Sequence, residues 1–219
     1  YELNKLDQDA STVRLAKLFE TNSQKYSKDP EIPALTAMEL AQHHYHAQEY
    51  RKSLEHTVQA MRLVDSDNSI YRAALVQKGR THNYLGKYHE SETQLLRAVK
   101  LVKKAAGETS LNLVEPLREV ANLYGNTGDQ MNVLKHLIRI RRLHFHHNMR
   151  DSIESLKNRL AISAAYRMIG DHEKSLLAAL NVEKIIGERF FTPLIIRNQN
   201  LRHLAETLLL LERYDEALK

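Results

Sequence analysis

The strongest constraint on this chain is that it repeats itself. With Gly86 as an anchor, equivalent turn-like positions fall at Gln48, Gly128, Gly170 and Glu212, at steps of 38, 42, 42 and 42 residues. Two further registers keep the same step. Seven residues before each anchor stand Ala41, Gly79, Ala121, Ser163 and Ala205, all small. Five residues after stand Ser53, Ser91, Val133, Ser175 and Ala217, small in four of the five. Small residues on both sides of a turn let two helices approach closely, so each unit reads as a helix, a tight turn and a second helix folded back. Repetition at such a period is the signature of stacked supersecondary units rather than of a compact globule. Within the second unit, Leu85, Tyr88 and Leu95 are the large residues expected to fill the space that the small ones leave.

Composition agrees with helix almost throughout. There are 7 Gly and 4 Pro, and apolar residues make up 42 % of the chain, enough for a continuous core once units stack. Tyr88, Ser91, Leu95, Ala98 and Val102 recur at spacings of three and four, which draws one stripe along one helix face. Helices are expected from Asp9 to Tyr26, from Pro30 to about Ala47 and from Tyr50 to about Val64. More follow within 70–105, then at 129–147, 152–169, 171–186 and from Pro193 to about Leu211. Asp29-Pro30 and Thr192-Pro193 read as an N-cap followed by proline at the first helical position. Pro116 allows two readings, a helix that starts late, near Leu113, with the ring in its first turn, or one that starts earlier and kinks, and the late start is the favoured one.

These residues resemble the tetratricopeptide repeat. The best-matched pieces are Gly79, Gly86, Tyr88 and Ala98 in the second unit and Tyr214, Glu216, Ala217 and Leu218 in the fifth, and the likeness covers about residues 31 to 219. The usual unit has about 34 residues, so each helix here is expected to be about a turn longer, a form similar to the repeats of kinesin light chains and of bacterial signalling proteins. The aromatic that the family places early in each first helix is replaced by Ala37, Leu75, Leu117, Arg159 and Leu201, and Arg159 conflicts with packing there. The resemblance implies an all-α, right-handed superhelix of stacked antiparallel helix pairs. Its units would run 30–66, 67–108, 109–150, 151–191 and 192–219, the last incomplete, after a helix within 1–29 that is a cap or a degraded repeat.

The resemblance also implies a concave groove lined by the first helix of each pair. Its positions hold Met38, Gln42, Tyr45 and His46, then Val76, Arg80, Asn83 and Tyr84, then Arg118, Asn122, Gly125 and Asn126. They continue with Leu160, Ala164, Arg167 and Met168, and then Arg202, Glu206, Leu209 and Leu210. Gln42, Arg80, Asn83, Tyr84, Arg118, Asn122, Asn126, Arg167 and Arg202 are the candidate partner-binding residues. Asn can donate to and accept from a peptide amide, and Arg can hold a carboxylate through two parallel hydrogen bonds. The expected partner is a protein or peptide with acidic groups. The competing reading makes these residues solvated polar faces. One family site fails to carry over: the two-carboxylate clamp of chaperone-binding members would need asparagine where Ala161 stands and a basic pair where Gln199 and His203 stand.

Other classes rank lower. Lys135, Arg139, Arg142 and His146 follow helical spacing down one face of a stretch without acids, a face that could meet phosphates. Nucleic-acid binding through it is the third reading, behind a regulatory input domain of a larger signalling protein. His43 with His46, and His144 with His147, are spaced like metal ligands but have no third ligand in register, so no metal and no cofactor is expected. His89 and His172 lie at the turns and read as structural. No nucleophile motif, phosphate-cradling glycine loop or cysteine occurs, which argues against an enzyme. The charge of +5 favours acidic partners, and a homo-oligomer stays open. No apolar run is long enough to span a bilayer and no leader is evident, so the expected compartment is cytoplasmic. The start at Tyr1 and the stop at Lys219 suggest a fragment of a longer protein, and a leader, were one removed, would make the compartment periplasmic instead.

Overall fold

The computed structural model describes residues 2–26, 28–189 and 192–217, with side chains from residue 10 onward. The chain divides into two compact units, Tyr1–Gly107 and Glu108–Lys219. In the first, α1 (Glu2–Lys25) packs on α2 (Glu31–His46), which pairs with α3 (Tyr50–Leu63), and α4 (Ser69–Tyr84) pairs with α5 (Tyr88–Ala106). In the second, a 3-10 turn at Leu111–Leu113 leads into α6 (Val114–Asn126), paired with α7 (Gln130–His146). Then α8 (Ile153–Met168) pairs with α9 (His172–Glu188), and α10 (Leu194–Leu210) precedes the short α11 (Tyr214–Ala217). No strand occurs among the described residues. Leu218, one of the positions of the family likeness, lies outside them.

The five anchors are the five places where the chain turns left-handed within a pair. Gln48, Gly86, Gly128, Gly170 and Glu212 have φ of 63°, 71°, 81°, 81° and 58°. Each closes the preceding helix in the same way. The Gly86 N–H donates to the Asn83 carbonyl at 3.1 Å and the Lys87 N–H to the His82 carbonyl at 2.9 Å, and the other four anchors repeat this pair of bonds. Two carbonyls that would otherwise end the helix unsatisfied are thereby paired. Asn148, at φ 56°, closes α7 in the same manner. After two of the turns an aspartate starts the next helix: Asp129 accepts the Asn132 N–H at 3.0 Å and Asp171 the Lys174 N–H at 3.2 Å.

The small positions are the helix contacts. A Cβ built on Gly79 would lie 2.5 Å from Leu95 Cγ, and Leu95 is fully buried. The closeness lets the Ser91 hydroxyl donate to the Gly79 carbonyl at 2.8 Å, and Ser163 donates likewise to the Ser175 carbonyl at 2.9 Å. Around these contacts lie apolar clusters. In the first unit Ala34, Ala37, Met38, Ala60, Ile70 and Ala74 pack with Phe19 and Met61 beside them. In the second, Leu156, Leu160, Val182, Ile186 and Ile196 pack together. Each fully buried leucine or isoleucine contributes roughly 1.5–3 kcal/mol.

Pro116 sits in the first turn of α6, as its missing N–H demands. Several expectations need correction. Helix α1 begins at Glu2, not near Asp9. Pro30 occupies the N-cap of α2 rather than its first helical position, while Asp29 Oδ1 accepts the Glu31 N–H at 3.3 Å. At α10 no side chain caps the helix, and the buried Thr192 hydroxyl has no hydrogen-bond partner. Tyr88 and His89 are exposed at their turn and Leu85 is half-buried, so of the three large residues Leu95 is the one that is fully buried.

Two changes test this register. Gly79→Ala gains up to about 1 kcal/mol of helix propensity but overpacks Leu95. It should lower urea-unfolding stability by a net 1–3 kcal/mol or so, whereas a parent-like midpoint would mean the pair is not so close. Gln48→Gly should raise the midpoint at constant slope. A side chain in the left-handed region costs about 1–2 kcal/mol, of which glycine's greater unfolded freedom returns about half.

Candidate partner-binding faces

In the first unit, α2 and α4 bring Gln42, Tyr45, Arg80, Asn83 and Tyr84 together with Tyr50 from the start of α3. Tyr45 meets Tyr84 edge-on at 5.3 Å between ring centroids, and Tyr50 stacks on Tyr84 at 5.5 Å. Tyr45 and Tyr50 lie 5.7 Å apart, and the Arg80 guanidinium sits 5.7 Å from the Tyr45 ring centre. Such edge and offset contacts hold rings in place. Tyr84 is nevertheless 61 % exposed. Gln42 is exposed beside them, whereas Asn83 and Met38 are buried within the helix packing and Val76 with them.

In the second unit the arginines are already engaged. Arg118 donates to Glu154 Oε2 at 2.9 Å, and Lys157 holds the other oxygen of that carboxylate at 3.0 Å. Arg167 and Arg202 share Glu206, at 2.5 and 2.8 Å, and Arg167 also lies 3.3 Å from His203 Nδ1. Each of Arg118 and Arg167 thus pairs with a glutamate on the following first helix. Glu154 and Glu206 titrate below the ordinary carboxylate range, chiefly through the hydrogen bonds from Lys157 and from Arg202. Asn122 and Asn126 are exposed, and Asn122 reaches Glu119 Oε2 at 3.4 Å. Leu160 is buried, while Met168, Leu209 and Leu210 are at least half exposed.

Lys135, Arg139, Arg142 and His146 do share one face of α7, where they line an open depression with Glu108. Glu108 receives a bond from Arg139 at 3.1 Å, so the face is not purely cationic. Of the paired histidines, His43 bonds to Thr12 Oγ1 at 3.0 Å, His147 to the Thr109 carbonyl at 2.8 Å, and His144 is buried. Among the described residues no group of three or more His, Asp or Glu side chains is placed to hold a metal. No helix of the described residues is long and apolar enough to cross a membrane.

No protein-family model matches the sequence, and no curated protein matches it. Solved structures do. A putative kinesin light chain of Podosopora anserina with nearly identical TPR-like repeats superposes with a TM-score of 0.73 at 16 % identity, over 84 % of this chain and 89 % of that one. A point variant of that protein gives the same score and identity, over 84 % and 88 %. BtubC (BKLC) from P. vanneervenii gives a TM-score of 0.81 at 11 % identity, over 96 % and 85 %. The fold is a tetratricopeptide-like helical repeat.

In TPR-like terms the departures now have positions. At the early first-helix site Ala37, Leu75 and Leu117 are fully buried, Arg159 is half-buried and Leu201 is 56 % exposed. At the positions of the two-carboxylate clamp, Gln199 is exposed and His203 leans on Arg167, so no second basic pair forms.

The TPR-like packing also buries imidazoles. His56, His82, His136, His144 and His203 all titrate below the ordinary value of 6.5, first because burial disfavours the charged ring. Cations such as Arg118 beside His144 and Arg167 beside His203 add to this. A depressed folded pKa contributes stability that is complete above the unfolded value and is lost as pH falls. Urea-unfolding stability should therefore decline from pH 7 to pH 5, before carboxylates titrate. A flat profile over that interval would show that the folded rings take up protons as the unfolded ones do, and that burial does not depress them.

Proposed function

We propose that this protein is a non-catalytic scaffold whose TPR-like first helices recognise a segment of a partner protein. The observation that carries the reading is the Tyr45–Tyr50–Tyr84 cluster with Arg80 against it. Tyrosine and arginine dominate binding hot spots because they bury a large contact area while keeping a polar end. Here Tyr84 is exposed yet held by two ring contacts, so it loses little freedom on docking. Gln42 beside it can pair with a peptide amide. The fold supports the general reading, since TPR-like repeats typically serve as non-catalytic scaffolds.

In the second unit Asn122 and Asn126 are the exposed amides that suit a peptide backbone. Arg118, Arg167 and Arg202 suit acidic side chains by exchange. An incoming carboxylate replaces Glu154 or Glu206 at a guanidinium already oriented, and the displaced glutamate returns to water. Such exchange gives selectivity for acids at little net gain, because surface ion pairs are worth about 0–1 kcal/mol.

The test is capture of partners by the parent, by Tyr84→Ala and by Arg118→Ala/Asn122→Ala, each checked for unchanged helicity. A hot-spot loss of at least about 2 kcal/mol, roughly thirtyfold in affinity, is expected for Tyr84→Ala. The double variant should weaken acidic partners more than neutral ones. Partners held equally by all three proteins would move recognition off the first helices.

A further inference from the structure

The second unit holds a concentration of positive charge that its packing does not require. Arg141, Arg142, Phe145, Arg150, Ser155 and Arg159, from α7, the following turn and α8, line one depression of about 390 Å³. Four guanidiniums face it and no carboxylate lines it. The acids nearby are committed elsewhere or stand outside: Glu154 holds Arg118 and Lys157, and Asp171 holds Lys174. Asp151 acts on Arg159 only from beyond the lining, and its carbonyl takes the Arg189 guanidinium. Arg150 lies over the Phe145 ring at 5.1 Å. The Arg159 Nε is buried with no hydrogen-bond partner.

This arrangement costs stability in the free protein. Burial, and then the nearby charge of Arg141, pull the Arg159 guanidinium below its ordinary pKa, which means that its charged form is disfavoured where it stands. An apolar side chain would fill the same repeat position, as Leu75 and Leu117 do in earlier units. An anion in the depression would reverse the sign of the effect. Monoanionic carboxylates use two oxygens and are satisfied by one guanidinium, whereas a phosphoryl dianion offers three strongly accepting oxygens to several.

The surroundings discriminate among bearers of phosphate. A second depression, about 150 Å³, shares Arg141 and Arg159 and continues over Ile162, Tyr166, Leu177 and Ala178 to Asn181 and to Lys174, which Asp171 holds. An apolar floor beside a compact cationic pocket fits one phosphorylated side chain followed by an apolar one. A nucleic acid needs a track of evenly placed cations and open aromatic faces. Here Phe145, the one aromatic of the cationic pocket, already carries Arg150 against its ring, Lys174 lies over the Tyr166 ring, and the neighbouring basic face of α7 is partly neutralised by Glu108. We infer that Arg141, Arg142, Arg150 and Arg159 form a binding site for a phosphoserine or phosphothreonine followed by an apolar residue in a partner segment. The inference rests on the reading of the protein as a binder of protein segments, but not on Tyr84 or the first-helix asparagines.

The test uses synthetic probes, so its failure is distinguishable from failure at Tyr84. A degenerate peptide library with a fixed phosphothreonine is compared with its unphosphorylated copy, alongside single-stranded RNA, on the parent, Arg150→Gln and Arg159→Met. The parent should prefer the phosphorylated library by at least tenfold, with leucine or isoleucine selected after the phosphothreonine. Arg150→Gln, an exposed change that leaves the packing alone, should lose that preference. Arg159→Met should melt higher than the parent in sodium chloride, yet lose the parent's rise in Tm with inorganic phosphate at matched ionic strength. Equal binding of both libraries, or retention by Arg150→Gln, overturns the site. RNA binding abolished by Arg150→Gln without phosphopeptide binding overturns the peptide assignment. A lower melting point for Arg159→Met with an intact phosphate response makes Arg159 a packing residue and overturns its role.

Discussion

The hydroxyl of Ser91 can reach the carbonyl of Gly79 only because α4 and α5 touch along their backbones. That contact is the element on which the repeat depends. A helix hairpin with a larger residue at Gly79 would stand further apart, Leu95 would no longer fill the gap, and the spacing of the stripe behind it would change. Ser163 and Ser175 solve the same problem with two hydroxyls, and at the same register positions Ala121 and Val133 are buried apolar side chains. The left-handed turn is the complement of this closeness. Seven residues after the small position the chain must reverse without spending a loop, and a single residue at positive φ does so while pairing the last carbonyls. Gln48 and Glu212 adopt it without being glycine, so the hairpin contact outweighs about 1–2 kcal/mol of local strain.

This is why the fold was legible in the sequence. Turn residue, small residue and small residue recur at fixed offsets, and each offset has one geometric meaning. Pro116 was legible for a similar reason, since proline in a first turn avoids the kink that it imposes on a helix interior. What the residues did not reveal were matters decided by long-range contact. That Asn148 would adopt the same left-handed closure as the anchors lay outside the repeat register. Thr192 carried a capping signature, yet its hydroxyl is buried without a partner.

The candidate faces were legible only by position. Family geometry assigns side chains to a helix face but cannot say which ones a neighbour covers. Asn83, Met38 and Leu160 occupy assigned positions and are buried by adjacent helices. Arg118 and Arg167 occupy assigned positions and find glutamates on the next first helix, 36 and 39 residues on. Those two separations differ, so no periodic search picks out the pairs. The Tyr45–Tyr50–Tyr84 cluster needs residues from three helices, and only Tyr50 and Tyr45 are neighbours in sequence.

The charge distribution follows from the same separation of roles. Where a first helix carries arginine and its successor carries glutamate, the two are brought together by the stacking itself and cancel. Arg159 breaks that pattern, for it stands at the early packing site of α8 and leans toward α7 instead of toward another first helix. Its neighbours there are Arg141 and Arg150, placed by the second helix and its turn. Helical stacking fixes all three backbones independently of the charges, so the repulsion cannot relax by moving helices apart. It can only be endured, screened or met by an anion. A packing rule that holds at Leu75 and Leu117 is broken at Arg159, and the break coincides with a cluster of guanidiniums that faces no carboxylate. Each would be ordinary alone, but a half-buried cation beside other cations, with Asp151 acting on it from outside the lining, is held by the fold at a cost that a bound anion would offset.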